Sequence, residues 1–134
     1  MVVDTSALLA ILLDEPEALF CSEAIEATPS ALISAATRVE LDIVILNKLG
    51  EEALGDADDL LETAGIQIEP VTAAQTELAR EAYLRFGKGR GHPAQLNYGD
   101  CFSYALAKDM QEPLLFVGKN FAATDIAPVS PPEE

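Results

Sequence analysis

Short apolar runs and longer helical segments alternate along this chain from end to end, and that order leaves few folds open. Val2 to Thr5 reads as a first strand, followed by helices over residues 6–13 and 15–26 with Asp14 and Pro16 between them. Leu32 to Ser34 is a second short buried run, and residues 35–49 form a strongly apolar helix ending at Gly50. A helix over about 51–64 stops at Gly65, the residue type favoured just past a helix end. Ile66 to Val71 alternates apolar and polar positions as a strand does. Thr72 then caps a helix running to about Phe86, with Gln75 completing a capping-box pattern. Residues 87–98 form a loop, 99–110 a helix, Leu114 to Val117 a core strand, 119–124 a short turn, and Ile126 to Val129 a last strand. Strands separated by helices imply crossover units and a parallel sheet covered on both faces. In such sheets, ligands gather outside the carboxyl ends of the strands.

The 134 residues fit one domain, taken as 1–130, with 131–134 as a loose tail. No apolar run approaches the roughly 20 residues that span a bilayer, and the amino-terminal residues lack the positive region of a secretory signal, so a cytoplasmic location and no membrane contact are expected. Cys21 and Cys101 form no metal-binding spacing and read as small core residues. The 23 acids against 8 basic residues give a net charge of −15, which argues against a protein that simply coats nucleic acid. An enzyme that meets phosphate through a bound cation, or one that docks a basic partner, stays compatible with that charge. Half of the Lys and Arg residues fall in one stretch, Arg80, Arg85, Lys88 and Arg90. They form either a solvated helix end or a rim that contacts phosphate groups, with Arg85, Lys88 and Arg90 as the candidates.

Three acids stand where acids are costly. Asp4 lies at the carboxyl end of the first strand, where it either caps the next helix or faces a ligand. Glu40 shares its helix face with Ala36, Ile43 and Val44, and needs either an ion-pair partner such as Arg38 or a cation. Asp100 opens an apolar helix, and a cap at Asn97 would free it to point into a crevice. A parallel sheet can bring all three to one rim. Converging carboxylates repel unless a hard divalent cation lies between them, and the chemistry of such a pocket is phosphodiester hydrolysis.

The segments VVDTSALLAILLDEPEA, SAATRVEL, LNYGDCFSYALAK and PLLFVGKNFAATDI resemble, in order and spacing, the VapC toxins, PIN-domain members of bacterial type II toxin–antitoxin pairs. The resemblance implies a three-layer α/β/α sandwich around a mainly parallel sheet of about five strands. It also implies an endoribonuclease dependent on Mg²⁺ or Mn²⁺ that acts on structured RNA such as tRNA. By position, Asp4, Glu40 and Asp100 match the family's acids as catalytic and metal-binding residues, and Thr5 and Ser6 match the small hydroxyl residues that support them. A fourth acid found in many relatives is replaced here by Asn120, with Asp125 close by, so either completes the site. The implied partners are a VapB-like antitoxin presenting a basic segment to the acidic site, a second copy in a homodimer, and assemblies with the antitoxin such as a heterotetramer or octamer. The apolar helices between residues 6 and 64 exceed what one small sheet covers, which suits such surfaces. An alternative is a catalytically impaired PIN-fold binding module. His92, the single histidine, reads as a surface residue rather than a catalytic base.

Overall fold

A computed structural model describes residues 1–129 of the chain. Four parallel strands, β1 (Val2–Val3), β2 (Ala31–Ser34), β3 (Ile66–Glu69) and β4 (Leu114–Leu115), form one sheet in the order β3-β2-β1-β4. The helices are α1 (Thr5–Leu12), α2 (Ala18–Ala27), α3 (Ala35–Leu49), α4 (Leu54–Ala64), α5 (Ala73–Phe86) and α6 (Tyr98–Met110). A short 3-10 turn, Glu51–Ala53, precedes α4. The chain walks outward from β1 through β2 to β3 and then returns to the other side of β1 with β4. The reversal puts the switch point of the sheet at the carboxyl end of β1, beside the ends of β2 and β4.

The period-two alternation of strand side chains divides the core into two layers. Val3, Ile33 and Leu115 pack on one face with Ala7 and Leu8 of α1, Cys21 of α2, Leu41 and Ile45 of α3 and Leu61 of α4. Val2, Leu32 and Leu114 point the other way, onto Ala82 and Phe86 of α5 and Tyr104 and Leu106 of α6. The expected α/β/α sandwich is therefore present. Both cysteines are free and buried.

The expected fifth strand is reduced to one bridge, Leu114 with Pro128, held by Leu114 N to Ala127 O and Val129 N to Leu114 O. Leu114 bonds the residues on either side of Pro128, so the position where Pro128 lacks an N–H faces away from β4 and leaves this bridge intact. The first strand is shorter than its apolar run suggested, because Asp4 already caps α1 and Thr5 belongs to that helix. The capping box expected at Thr72 is half formed: Thr72 accepts from Gln75 N, but the Gln75 side chain is buried and reaches Asp109 on α6 instead. At the end of α4, Gly65 has φ 67°, the left-handed conformation that its missing Cβ makes inexpensive. Residues 131–134, expected to be a loose tail, lie outside the described residues.

Candidate active site

Asp4 leaves β1 at the switch point, and its backbone N–H is bonded to Leu115 O of β4. Its side chain is buried at 4% exposure and saturated with donors. One oxygen, Oδ2, accepts from Ser6 N at 3.1 Å and Ser6 Oγ at 2.7 Å, while Oδ1 accepts from Ser103 Oγ at 2.6 Å. Asp4 is thus a helix cap and a site residue at once. The Ser6 hydroxyl also accepts from Val117 N at 2.9 Å, which ties the first acid to the loop after β4.

Two helices supply the rest of the pocket, each with one acid and one hydroxyl three residues apart, a spacing that puts both on one helix face. On α3 these are Thr37 and Glu40; on α6 they are Asp100 and Ser103. Thr37 Oγ1 lies 3.2 Å from Ser103 Oγ. Ser103 has one hydroxyl hydrogen and gives it to Asp4, so Thr37 is the donor in that pair. The result is a directed relay, Thr37 to Ser103 to Asp4. Glu40 Oε1 accepts from Thr5 Oγ1 at 2.6 Å. The ion pair with Arg38 is not formed: Arg38 binds Asp42 and Asp58 on the outer side of α3. Asn97 caps α6 as anticipated, but the Asp100 carboxylate is not left free. Its Oδ2 accepts from Asn97 N at 3.0 Å while Asp100 N donates to Asn97 Oδ1 at 2.9 Å, a reciprocal capping box.

The three acids lie near enough for their charges to act on one another. The Asp100 carboxyl is pushed up to about 6, first by burial and then by the charges of Asp4 and Glu40; the Asn97 and Asn120 hydrogen bonds oppose the shift. Glu40 is raised by burial and by Asp4, with the Thr5 bond acting against them. Among the described residues, no Lys, Arg or His side chain forms a salt bridge with any of the three. Nor do three His, Cys, Asp or Glu side chains there converge tightly enough to enclose a cation unaided. Mg²⁺ asks for less than that, since it retains waters and takes one or two carboxylates. A half-buried, like-charged oxygen set without a cationic side chain fits such an ion.

The two candidates for the fourth position are placed very differently. Asn120 is exposed at the rim and its amide faces Asp100. Asp125 accepts from Tyr104 Oη at 2.7 Å and pairs with Lys108 at 2.9 Å and Arg85 at 3.4 Å. Burial acts to raise its carboxyl, but those three partners outweigh it and hold it below the ordinary carboxylate range. Arg85, stacked 4.6 Å over the Phe86 ring, is therefore engaged with Asp125, whereas Lys88 and Arg90 are exposed in the following loop. His92 packs edge-on against Phe86, and its Nδ1 accepts from Ala94 N at 3.1 Å, so it braces the loop.

Ser103 and Thr37 escaped the reading of the sequence. Their signal is a lone hydroxyl on an otherwise apolar helix face, one turn from an acid, and it is weak because buried Ser and Thr often bond only their own helix.

A PIN-domain family model matches residues 1–127. A protein named ribonuclease VapC from Mycolicibacterium smegmatis is 50% identical over 129 residues, covering 96% of this chain and 99% of that protein. Ribonuclease VapC30 of Mycobacterium tuberculosis is 48% identical over 132 residues, covering 98% of this chain and all of the relative. Among solved structures, the fold is similar to Mycobacterium tuberculosis VapC20, described as a sarcin-ricin loop cleaving toxin, with a TM-score of 0.78 at 20% identity over 97% of this chain and 98% of that one. It is also similar to a chain of a toxin–antitoxin complex from Klebsiella pneumoniae, with a TM-score of 0.67 at 21% identity over 99% of this chain and 98% of that one. With the family model spanning the sandwich and near-half identity to curated relatives over almost the whole length, this chain belongs to the PIN-domain family, in its VapC branch.

Proposed function

We propose that this protein is an endoribonuclease, the toxin half of a type II toxin–antitoxin pair, that hydrolyses phosphodiester bonds in structured RNA such as tRNA with the help of Mg²⁺ or Mn²⁺. The observation that carries the reading is the gathering of Asp4, Glu40 and Asp100 at the switch point, where burial and then the charges of Asp4 and Glu40 raise Asp100 and, among the described residues, no cationic side chain pairs with the three. Asp4 and Asp100 are the principal ligands in this reading, Glu40 completes the pocket directly or through water, and Asn120 stands at the fourth position. Asp125, tied to Lys108 and Arg85, is better suited to bracing the far side of α6. When bound, the ion supplies a polarised phosphoryl group and an activated water.

The chain's own residues supply preorganisation. Ser6 and Ser103 fix Asp4, Thr5 fixes Glu40, and the Asn97 N–H fixes Asp100, so each acid keeps its orientation before substrate arrives. Lys88 and Arg90, exposed in the loop before α6, are the RNA-backbone contacts in this reading.

The antitoxin in this reading offers a basic segment to the acidic pocket, consistent with the net charge of −15. A second copy of the chain covers the apolar stripe on α3, where Val39 and Ile43 are 56% and 52% exposed, together with Tyr98 at the start of α6. Assemblies with the antitoxin would then be heterotetramers or octamers. No helix of the described residues is long and apolar enough to cross a membrane. The free, buried cysteines suit a reducing compartment, and we place the protein in the cytoplasm.

The test is cleavage of structured RNA with Mn²⁺, with EDTA, and with Asp4→Asn or Asp100→Asn. Loss of cleavage in EDTA and in both variants is expected; normal cleavage by both variants would remove the site assignment. That no three acids among the described residues enclose a cation unaided supports a second reading, a PIN-fold binding module without catalysis. It gains if calorimetry finds no Mn²⁺ binding at millimolar concentration.

A further inference from the structure

Gly99 occupies the second position of α6, between Tyr98 and Asp100, with no left-handed φ to demand a glycine. A glycine in an ordinary helical turn is less favourable than alanine. Something other than backbone conformation must therefore account for it. A Cβ built on Gly99 would lie 1.6 Å from Glu40 Oε2 and 2.5 Å from Glu40 Cδ. The carboxylate of Glu40 fills the space that any other residue at position 99 would need.

We infer that Gly99 is a positioning residue: its missing side chain is the seat that lets Glu40 reach across from α3 to the first turn of α6, beside Asp4 and Asp100. Two features support the seat. Thr5 Oγ1, from α1, holds the other Glu40 oxygen at 2.6 Å, so the carboxylate is gripped from one side and accommodated from the other. The first turn of α6 also presents the positive end of a helix dipole, which favours an anion there. Any side chain at 99 would drive the carboxylate back by more than an ångström, since real Cβ atoms essentially never come within 3.0 Å of another heavy atom in this way. The Glu40 side chain is flexible enough to yield. Gly99→Ala should therefore leave the fold intact while evicting Glu40 from the pocket.

This inference rests on the acidic-pocket reading only for its second readout, and the two can fail separately. The first readout is thermal unfolding in EDTA of the wild type, Gly99→Ala, Glu40→Ala and the double variant. With Glu40 truncated, the alanine at 99 meets no obstacle and improves the helix, so Gly99→Ala should raise Tm by roughly 2–5 °C in that background. In the wild type the same substitution should give no such gain, because it breaks the Thr5–Glu40 bond. Equal Tm shifts in the two backgrounds would overturn the seat. The second readout is Mn²⁺ titration. Gly99→Ala should weaken Mn²⁺ binding about as much as Glu40→Ala does, on the order of 10-fold, with no further loss in the double variant. A wild-type affinity in Gly99→Ala beside a weakened one in Glu40→Ala would also overturn it. If the wild type itself binds no Mn²⁺, the metal reading falls, and the Tm comparison still decides the seat.

Discussion

The relay from Thr37 through Ser103 to Asp4 can be broken at its middle. Ser103→Ala removes a donor 2.6 Å from Asp4 Oδ1, in a position where Ser103 and Thr37 are each 1% exposed and water cannot replace the lost group. A hydrogen bond to a charged group contributes about 1.5–3 kcal/mol. The stranded Thr37 hydroxyl adds a penalty, reduced because a helical threonine can turn back to a carbonyl of its own helix. Alanine is the better helix former by about half a kcal/mol, which offsets part of the loss. The net expectation is a destabilisation of about 2 kcal/mol. For a domain of this length that lowers Tm by roughly 6–10 °C. Urea unfolding followed by circular dichroism, with EDTA present, measures it directly. The diagnostic step is Thr37→Val in both backgrounds. In the wild type it removes a bonded hydroxyl and should destabilise; in Ser103→Ala it removes a stranded one and should be neutral or stabilising. A Ser103→Ala protein within about 0.5 kcal/mol of the wild type, or a Thr37→Val effect independent of residue 103, would refute the relay.

With Asp100 pushed up to about 6, its neutral form favours the folded state, so its contribution to metal-free stability is full below the ordinary carboxylate range and declines as pH rises through about 6. Glu40, also raised, acts in the same direction. Asp100→Asn should flatten that decline in urea titrations between pH 4 and 8, and Mn²⁺ affinity of the wild type should weaken below about pH 6 as protons compete; an identical pH profile in Asp100→Asn would contradict the assignment. At the α3 stripe, Ile43→Glu should leave the circular dichroism spectrum unchanged and convert a dimer into a monomer by light scattering, and a wild type that is already monomeric would rule out the proposed dimer surface.

Much of this architecture was legible before any coordinates. Gly50 and Gly65 end α3 and α4 where the sequence says they should, and Thr72 and Asn97 cap α5 and α6. Capping and helix termination depend on the nearest few residues, so local chemistry decides them. The edges of the sheet were harder. Ile126 to Val129 has strand composition, yet whether it pairs depends on a neighbour elsewhere in the chain, Leu114, rather than on its own residues.

The opposite limit holds at the site. The sequence by itself placed Asp4 after the first strand, put Glu40 and Asp100 on apolar helices, and thereby marked them as acids in costly positions. It could not say what each carboxylate holds. Arg38, two residues from Glu40, turns instead to Asp42 and Asp58; Asp125, five residues from Asn120, turns to Lys108 and Arg85. Only the packing of α6 against α3 and against the end of β1 brings Thr37 to Ser103, Ser103 to Asp4, and the Glu40 carboxylate into the space above Gly99. The reason is range. Strand and helix are written in periodicity and caps a few residues long, whereas the orientation of a buried carboxylate is set by donors 35 and 99 residues away that meet it only when the sandwich closes.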